Sequence, residues 1–165
     1  MDNNDSQAPS DAFFALAGHP VKFRLFLLQK LPAAYFSGVR VKEVNREKAV
    51  VTIPFKWFTQ NPFRSTYFAC LSMAAEMSTG ILAMAHVYKR KPRVSMLVIS
   101  VEGKFYKKAT SLTSFICDEG MLISQVIEDA VSTGEPQSIR ALSSGYNKKN
   151  ELVAEFWITW SFKAG

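Results

Sequence analysis

The chain is 165 residues long, 48% of them apolar, with a net charge of +6 and a pI near 9.4. That length fits one domain with a real core, and the apolar share excludes an intrinsically disordered chain. Two cysteines, Cys70 and Cys117, cannot make a disulfide framework, and with only His19 and His86 to join them no metal-ligand spacing is present.

The polar, acidic start "MDNNDSQAPSD" carries no secretory signal, and residues 1–11 read as a disordered N-terminus. A single domain is expected over 12–165, with a helical extension over 12–35. Its first helix falls near Ala12–Ala17, where Asp11 can cap it. Gly18-His19-Pro20 breaks it, and "VKFRLFLLQKL" starts a second helix with Pro20 at its first position. One broad face of this helix is apolar, so it either pads the domain or lies on a membrane interface. "GVRVKEV" and "KAVVTIPF" follow as a hairpin. The segment Asn61–Tyr88 reads as a long helix and ends in the basic loop "KRKPR". "VSMLVISVEGKFYKKATSLTSFIC" gives two strands, or one long bent strand with Gly103 as bulge or turn. "EGMLISQVIEDAVSTG" is a short helix with Gly134 past its end. "QSIRALSSGY" and "ELVAEFWITWSF" pair across "NKKN", with Leu152, Ala154, Phe156, Ile158, Trp160 and Phe162 on one face.

This order predicts an α+β protein in which an antiparallel sheet wraps a long central helix. Ala69, Cys70, Ser72, Ala74, Ala75, Ser78, Thr79, Gly80, Ala83 and Ala85 cover nearly every face of that helix, so backbone can approach from all sides. Gly80 costs about 1 kcal/mol against Ala in a helix interior, which close packing or room for a ligand would offset. Thirteen Phe residues fit a greasy interior or an apolar ligand tunnel. No window holds eighteen uninterrupted apolar residues, so no integral membrane segment is expected, and the absence of both signals points to the cytoplasm, where both thiols would stay reduced.

Within "NPFRSTYFACLSMAAEMSTG", Glu76 is the one formal charge between Ser65 and Tyr88. An unpaired buried carboxylate is costly and tends to hold its proton. Either hydroxyls such as Ser72 or Thr79, or a distant Lys or Arg, satisfy it, or it serves a functional site.

From about Pro20 to Phe162 the chain resembles the hot-dog fold thioesterases, and most of all bacterial members with an N-terminal helical extension. The resemblance rests on the proline-initiated "HPVKFRLFLLQKLP", the first strand "GVRVKEV", and an Asn-containing loop leading into the central helix. In the phenylacetyl-CoA-type enzymes that loop and helix carry Asn, then His-Gly-Gly six residues on, then an acid nine residues after the His. Here the Asn matches Asn61 and the acid Glu76, while Tyr67, Phe68 and Ala69 stand at the His-Gly-Gly positions. The resemblance implies an acyl-CoA thioesterase that needs no cofactor and no metal. Glu76 would activate water or attack directly, and the Phe68 backbone N–H would hold the oxyanion. Tyr67, Phe68, Ala69, Thr79 and Gly80 would surround the substrate. Asn61 would orient water or cap a turn.

Phe68 and Glu76 are eight residues apart, about 12 Å along a helix, so one thioester carbon cannot touch both. The enzyme reading therefore requires a homodimer with shared sites, a tetramer being left open. Lys89, Arg90, Lys91 and Arg93 are candidates for coenzyme A phosphates; Lys104, Lys107 and Lys108 form a second basic cluster. Each also reads as a solvated loop or edge-strand protection. No nucleic-acid motif is present. The competing reading is a non-catalytic binder of acyl-CoA or another lipid. A hot-dog dehydratase is disfavoured, because no His lies between Pro20 and Ala85.

Overall fold

The computed structural model describes residues 4–165, with side chains from residue 9 onward. The first helix, α1 (Asn4–Gly18), begins well before the expected start. It covers residues 4–11, for which the sequence predicts disorder, and residues 1–3 lie outside the described residues. Asp11 is no cap. It sits inside α1 and pairs with Arg46, while Ser10 and Phe13 are buried. Tertiary contacts thus hold a stretch whose composition alone would not fold.

The second helix, α2 (Pro20–Lys30), starts as expected with Pro20 in its first turn, and His19 Nδ1 accepts from the Lys22 N–H. A short α3 (Pro32–Ser37) follows and ends at Gly38, whose φ of 84° is left-handed. The hairpin β1 (Arg40–Val44) and β2 (Ala49–Ile53) turns on Asn45, whose Oδ1 accepts from the Glu47 and Lys48 amides at 2.9 Å each.

The central helix, α4 (Phe68–Val87), begins at Phe68 and not at Asn61. Asn61–Tyr67 is a loop. Asn61 Oδ1 accepts from the Phe63 N–H, the Ser65 N–H and the Ser65 hydroxyl, and Arg64 has a positive φ. By length and composition α4 could cross a bilayer, but 67% of its apolar window is buried inside the fold. Ala74, Ala75, Leu82 and Ala83 are wholly inaccessible. Small side chains let β2, β4, β5 and β6 approach one side of the helix and α1 and α5 another.

The remaining elements are β3 (Val94–Phe105), β4 (Thr113–Cys117), α5 (Gly120–Thr133), β5 (Gln137–Tyr146) and β6 (Leu152–Ala164). All six strands form one antiparallel sheet in the order β1-β2-β4-β5-β6-β3. The expected wrap of sheet around helix, the two hairpins and the inward set on β6 all hold. "VSMLVISVEGKFYKKATSLTSFIC" does give two strands, but they do not pair with each other: β4 joins β2 and β5, while β3 crosses to the far edge beside β6. The bulge of β3 falls between Val98 and Ser100, not at Gly103. Gly103 stays in register opposite Phe156, whose ring comes within 3.0 Å of where its Cβ would be.

Gly120 opens α5 tight against the β1–β2 turn, donating its N–H to Glu47 O. A Cβ there would stand 2.2 Å from Arg46 O and 2.8 Å from Glu47 O, both backbone. Backbone cannot swing aside as a side chain can. Gly120→Ala should therefore cost about 1–3 kcal/mol, read as a lowered midpoint in urea unfolding, whereas Gly134→Ala, which meets no neighbour within 4 Å, should lose only what its left-handed φ of 72° costs.

Candidate active site

Glu76 sits in the middle of α4, on a face the sheet leaves open. It lines a cavity of about 510 Å³ with Phe23, Phe26 and Lys30 of α2, Met77, Gly80 and Met84 of α4, Met96 of β3 and Trp160 of β6. The walls are nearly all apolar. No hydrogen bond or ion pair to the Glu76 carboxylate is formed among the described residues, and neither expected hydroxyl satisfies it. The Thr79 hydroxyl donates to the Glu76 backbone carbonyl at 2.9 Å and accepts from Trp160 Nε1–H at 2.8 Å. Burial alone pushes the Glu76 carboxyl above its ordinary value of 4.5.

Gly80 now has its reason. A Cβ there would stand 3.0 Å from the Trp160 ring and 3.2 Å from Glu76 Oε1. The missing side chain lets the indole lie against the helix beside the carboxylate, and the Thr79 hydroxyl holds that ring in place. Thr79 thus supports the cavity wall without lining it.

A second cavity, of about 670 Å³, lies at the start of α4. Asn61, Phe63, Tyr67, Phe68, Phe105 and Lys108 are among its walls. It shares no lining residue with the Glu76 cavity. The N–H groups of Phe68 and Ala69 find no acceptor among the described residues, as the first turn of a helix leaves them. The Tyr67 and Phe68 rings pack edge to face at 4.9 Å and both are exposed. They stand outward on the surface and do not seal the amides into the core. Asn61 lies here too, with its Oδ1 occupied by its own loop, so the capping role is the one its geometry displays.

The basic loop after α4 separates into two parts. Lys89, Lys91 and Arg93 border a groove of about 1000 Å³ together with Lys163 of β6, and this groove shares Met84 and Met96 with the Glu76 cavity. Arg90 borders this groove too, but its guanidinium is also engaged elsewhere. Its guanidinium grips Glu128 of α5 through two hydrogen bonds of 2.7 and 2.6 Å, and its side chain is only 8% exposed. Of the second cluster, Lys107 pairs with Glu151 and Lys104 lies over the Trp157 ring. Lys30 and Trp160 carry no sequence signal of their own, since only the fold brings them to the cavity of the acid, and the same holds for Lys163 in the adjoining groove.

The family model described as a domain of unknown function, DUF4442, matches residues 22–161. The chain belongs to the DUF4442 family. No curated protein sequence matches it. Among solved structures, this DUF4442 chain is similar to PA5026 from Pseudomonas aeruginosa, described as a protein of unknown function and probable thioesterase, at 18% identity and a TM-score of 0.74 over 88% of this chain and 97% of that one. It is also similar to thioesterase HI1161 from Haemophilus influenzae, at 14% identity and a TM-score of 0.61 over 85% and 88%, and to a thioesterase family protein from Silicibacter pomeroyi, at 12% identity and a TM-score of 0.62 over 86% and 96%. These likenesses bear out the expected hot-dog fold for this DUF4442 protein.

The raised Glu76 value has a consequence for stability. A carboxyl whose native value exceeds its unfolded value binds its proton more tightly when folded. Its contribution is complete below about pH 4.5 and is lost as pH rises through the native value. Glu76→Gln should therefore be more stable than wild type by about 1 kcal/mol near neutral pH, with the gap closing in acid; paired thermal melts across pH measure it.

Proposed function

We propose that the protein hydrolyses an acyl thioester of coenzyme A, with Glu76 as the catalytic carboxylate. One observation carries this reading. The single acid of the central helix faces a largely apolar cavity, and no group among the described residues pairs with it. A structural carboxylate would have found a donor, since leaving it bare costs stability. Desolvation makes the ionised form a stronger base, which suits removal of a proton from water.

The acyl group would lie along Phe23, Phe26, Met77 and Met84. The coenzyme phosphates would meet Lys89, Lys91, Arg93 and Lys163 in the adjoining groove. Glu76 takes a proton from water as the hydroxide attacks the thioester carbon. The carbonyl oxygen gains the negative charge, accepts hydrogen bonds from main-chain N–H groups, and expels the thiolate, which takes up the proton.

The Phe68 amide opens on a different cavity from Glu76 in the same chain, so it would come from a second copy. A seam for that copy is at hand. The edge strand β3 pairs only with β6 and exposes Leu97, Ile99, Val101 and Phe105. Long apolar edges of this kind pair with further strands. A non-catalytic acyl-thioester binder is the second reading. It is favoured by Asn61, whose Oδ1 is held within its loop and away from any substrate.

Against a panel of short, medium and aromatic acyl-CoA thioesters, wild type should turn over at least one, and Glu76→Gln should lose about 100-fold or more in kcat while remaining folded. Saturable binding without turnover across the panel would establish the binder, and wild-type rates in the variant would remove Glu76 from the chemistry. Lys91→Glu combined with Arg93→Glu should raise KM about tenfold with little change in kcat. Arg90→Gln should instead lower stability by about 1–2 kcal/mol and leave KM near its wild-type value.

A further inference from the structure

The helix α2 is apolar on two opposite faces. Phe23 and Leu27 are buried and Phe26 packs against the core. On the other side Val21, Leu25 and Leu28, spaced as neighbours on one helical face, are 62%, 55% and 39% exposed. Leu31, just past the end of α2, and Phe36 of α3 are exposed as well. A surface helix ordinarily turns polar residues outward, and a clustered apolar surface marks a place where something docks.

The charge around this face selects the occupant. Lys22 stands exposed beside it, while Arg24 on its other side is half-buried with its guanidinium 4.4 Å over the Tyr35 ring. From Asp11 to Glu43 the sequence has five Lys and Arg residues between them and no acid. Such a basic rim around an apolar stripe complements a surface that is anionic outside and apolar beneath. Exposed apolar residues also lie on β3 and at Trp57, Phe58 and Phe63, while α2 packs beside β1 and over the Glu76 cavity.

We propose that the outer face of α2 seats the protein on an anionic lipid surface. The helix lies in the plane of the interface, with Val21, Leu25 and Leu28 entering the acyl boundary and Lys22 among the headgroups. The proposal does not depend on the thioester reading. Leu31 belongs both to this exposed face and to the wall of the Glu76 cavity, so docking would bring the edge of that cavity to the lipid.

Flotation of the full chain with vesicles tests this. Wild type should float with vesicles of mixed phosphatidylcholine and phosphatidylglycerol, float poorly with phosphatidylcholine alone, and release as salt is raised. The pair Leu25→Asp and Leu28→Asp, both exposed in the fold, should weaken binding more than about tenfold with an unchanged circular dichroism spectrum, and Lys22→Glu should weaken it in part. Wild type that stays unbound on anionic vesicles at low salt overturns the proposal without reference to any variant. So does undiminished binding by a folded Leu25→Asp, Leu28→Asp protein. Sedimentation showing that this pair dissociates an oligomer would overturn it also, by making the face an interface between copies.

Discussion

A helix enclosed by a sheet can be only as wide as the space the sheet leaves, and that limit shapes this molecule. The strands approach α4 because Ala74, Ala75 and Ala83 present almost no side chain. Polar atoms in such surroundings must be satisfied locally. The Ser78 hydroxyl is satisfied by the Ala75 carbonyl and by Ser143 across the helix–sheet boundary. The Thr79 hydroxyl bridges the Glu76 carbonyl and the Trp160 indole. Against that background, the Glu76 carboxylate stands out as a polar group with an outlet and no partner.

The outlet exists because the wrap is incomplete. Six strands curl around α4 but leave the Glu76 face to be covered from outside the sheet, and α2 covers it with Phe23 and Phe26. The N-terminal extension is thus part of the cavity. It converts an exposed carboxylate into a desolvated one, and desolvation raises its proton affinity. The same helix turns a second apolar face outward, so one element sets both the chemistry of the acid and the character of the surface over it.

At the far end of α4 the polar arrangement is different in kind. The loop from Asn61 to Tyr67 is held by Asn61 and delivers a helix start with open amides. The rise of the helix keeps those amides about 12 Å from Glu76. Within one chain the carboxylate and the amide donors cannot meet on one carbonyl group. Arg90 is a further case where position overrides composition: inside a run of basic residues, one is drawn to Glu128 and ties the loop after α4 to α5.

Much was legible in the sequence, because it depends on local spacing. The period-two run from Leu152 to Phe162, the Pro20 start of α2, the turn at "NKKN" and the small-residue surface of α4 are written in consecutive residues, and the wrapped helix follows from them. Glu76 was legible as an anomaly, the one charge in an uncharged stretch. What the sequence could not decide was long-range. The composition of residues 4–11 predicts disorder, and only the contacts of Ser10, Asp11 and Phe13 make them helix. The adjacency of β3 and β4 in sequence predicts neither the strand order nor the bulge at Val98, because pairing is chosen by which edges are free. Lys30 and Trp160 reach the Glu76 cavity from α2 and β6, far apart in the chain, so no local pattern marks them. The sequence by itself determined which residues can be enclosed. The tertiary structure alone decided which of them enclose the acid, because burial and partnership depend on what the fold brings near.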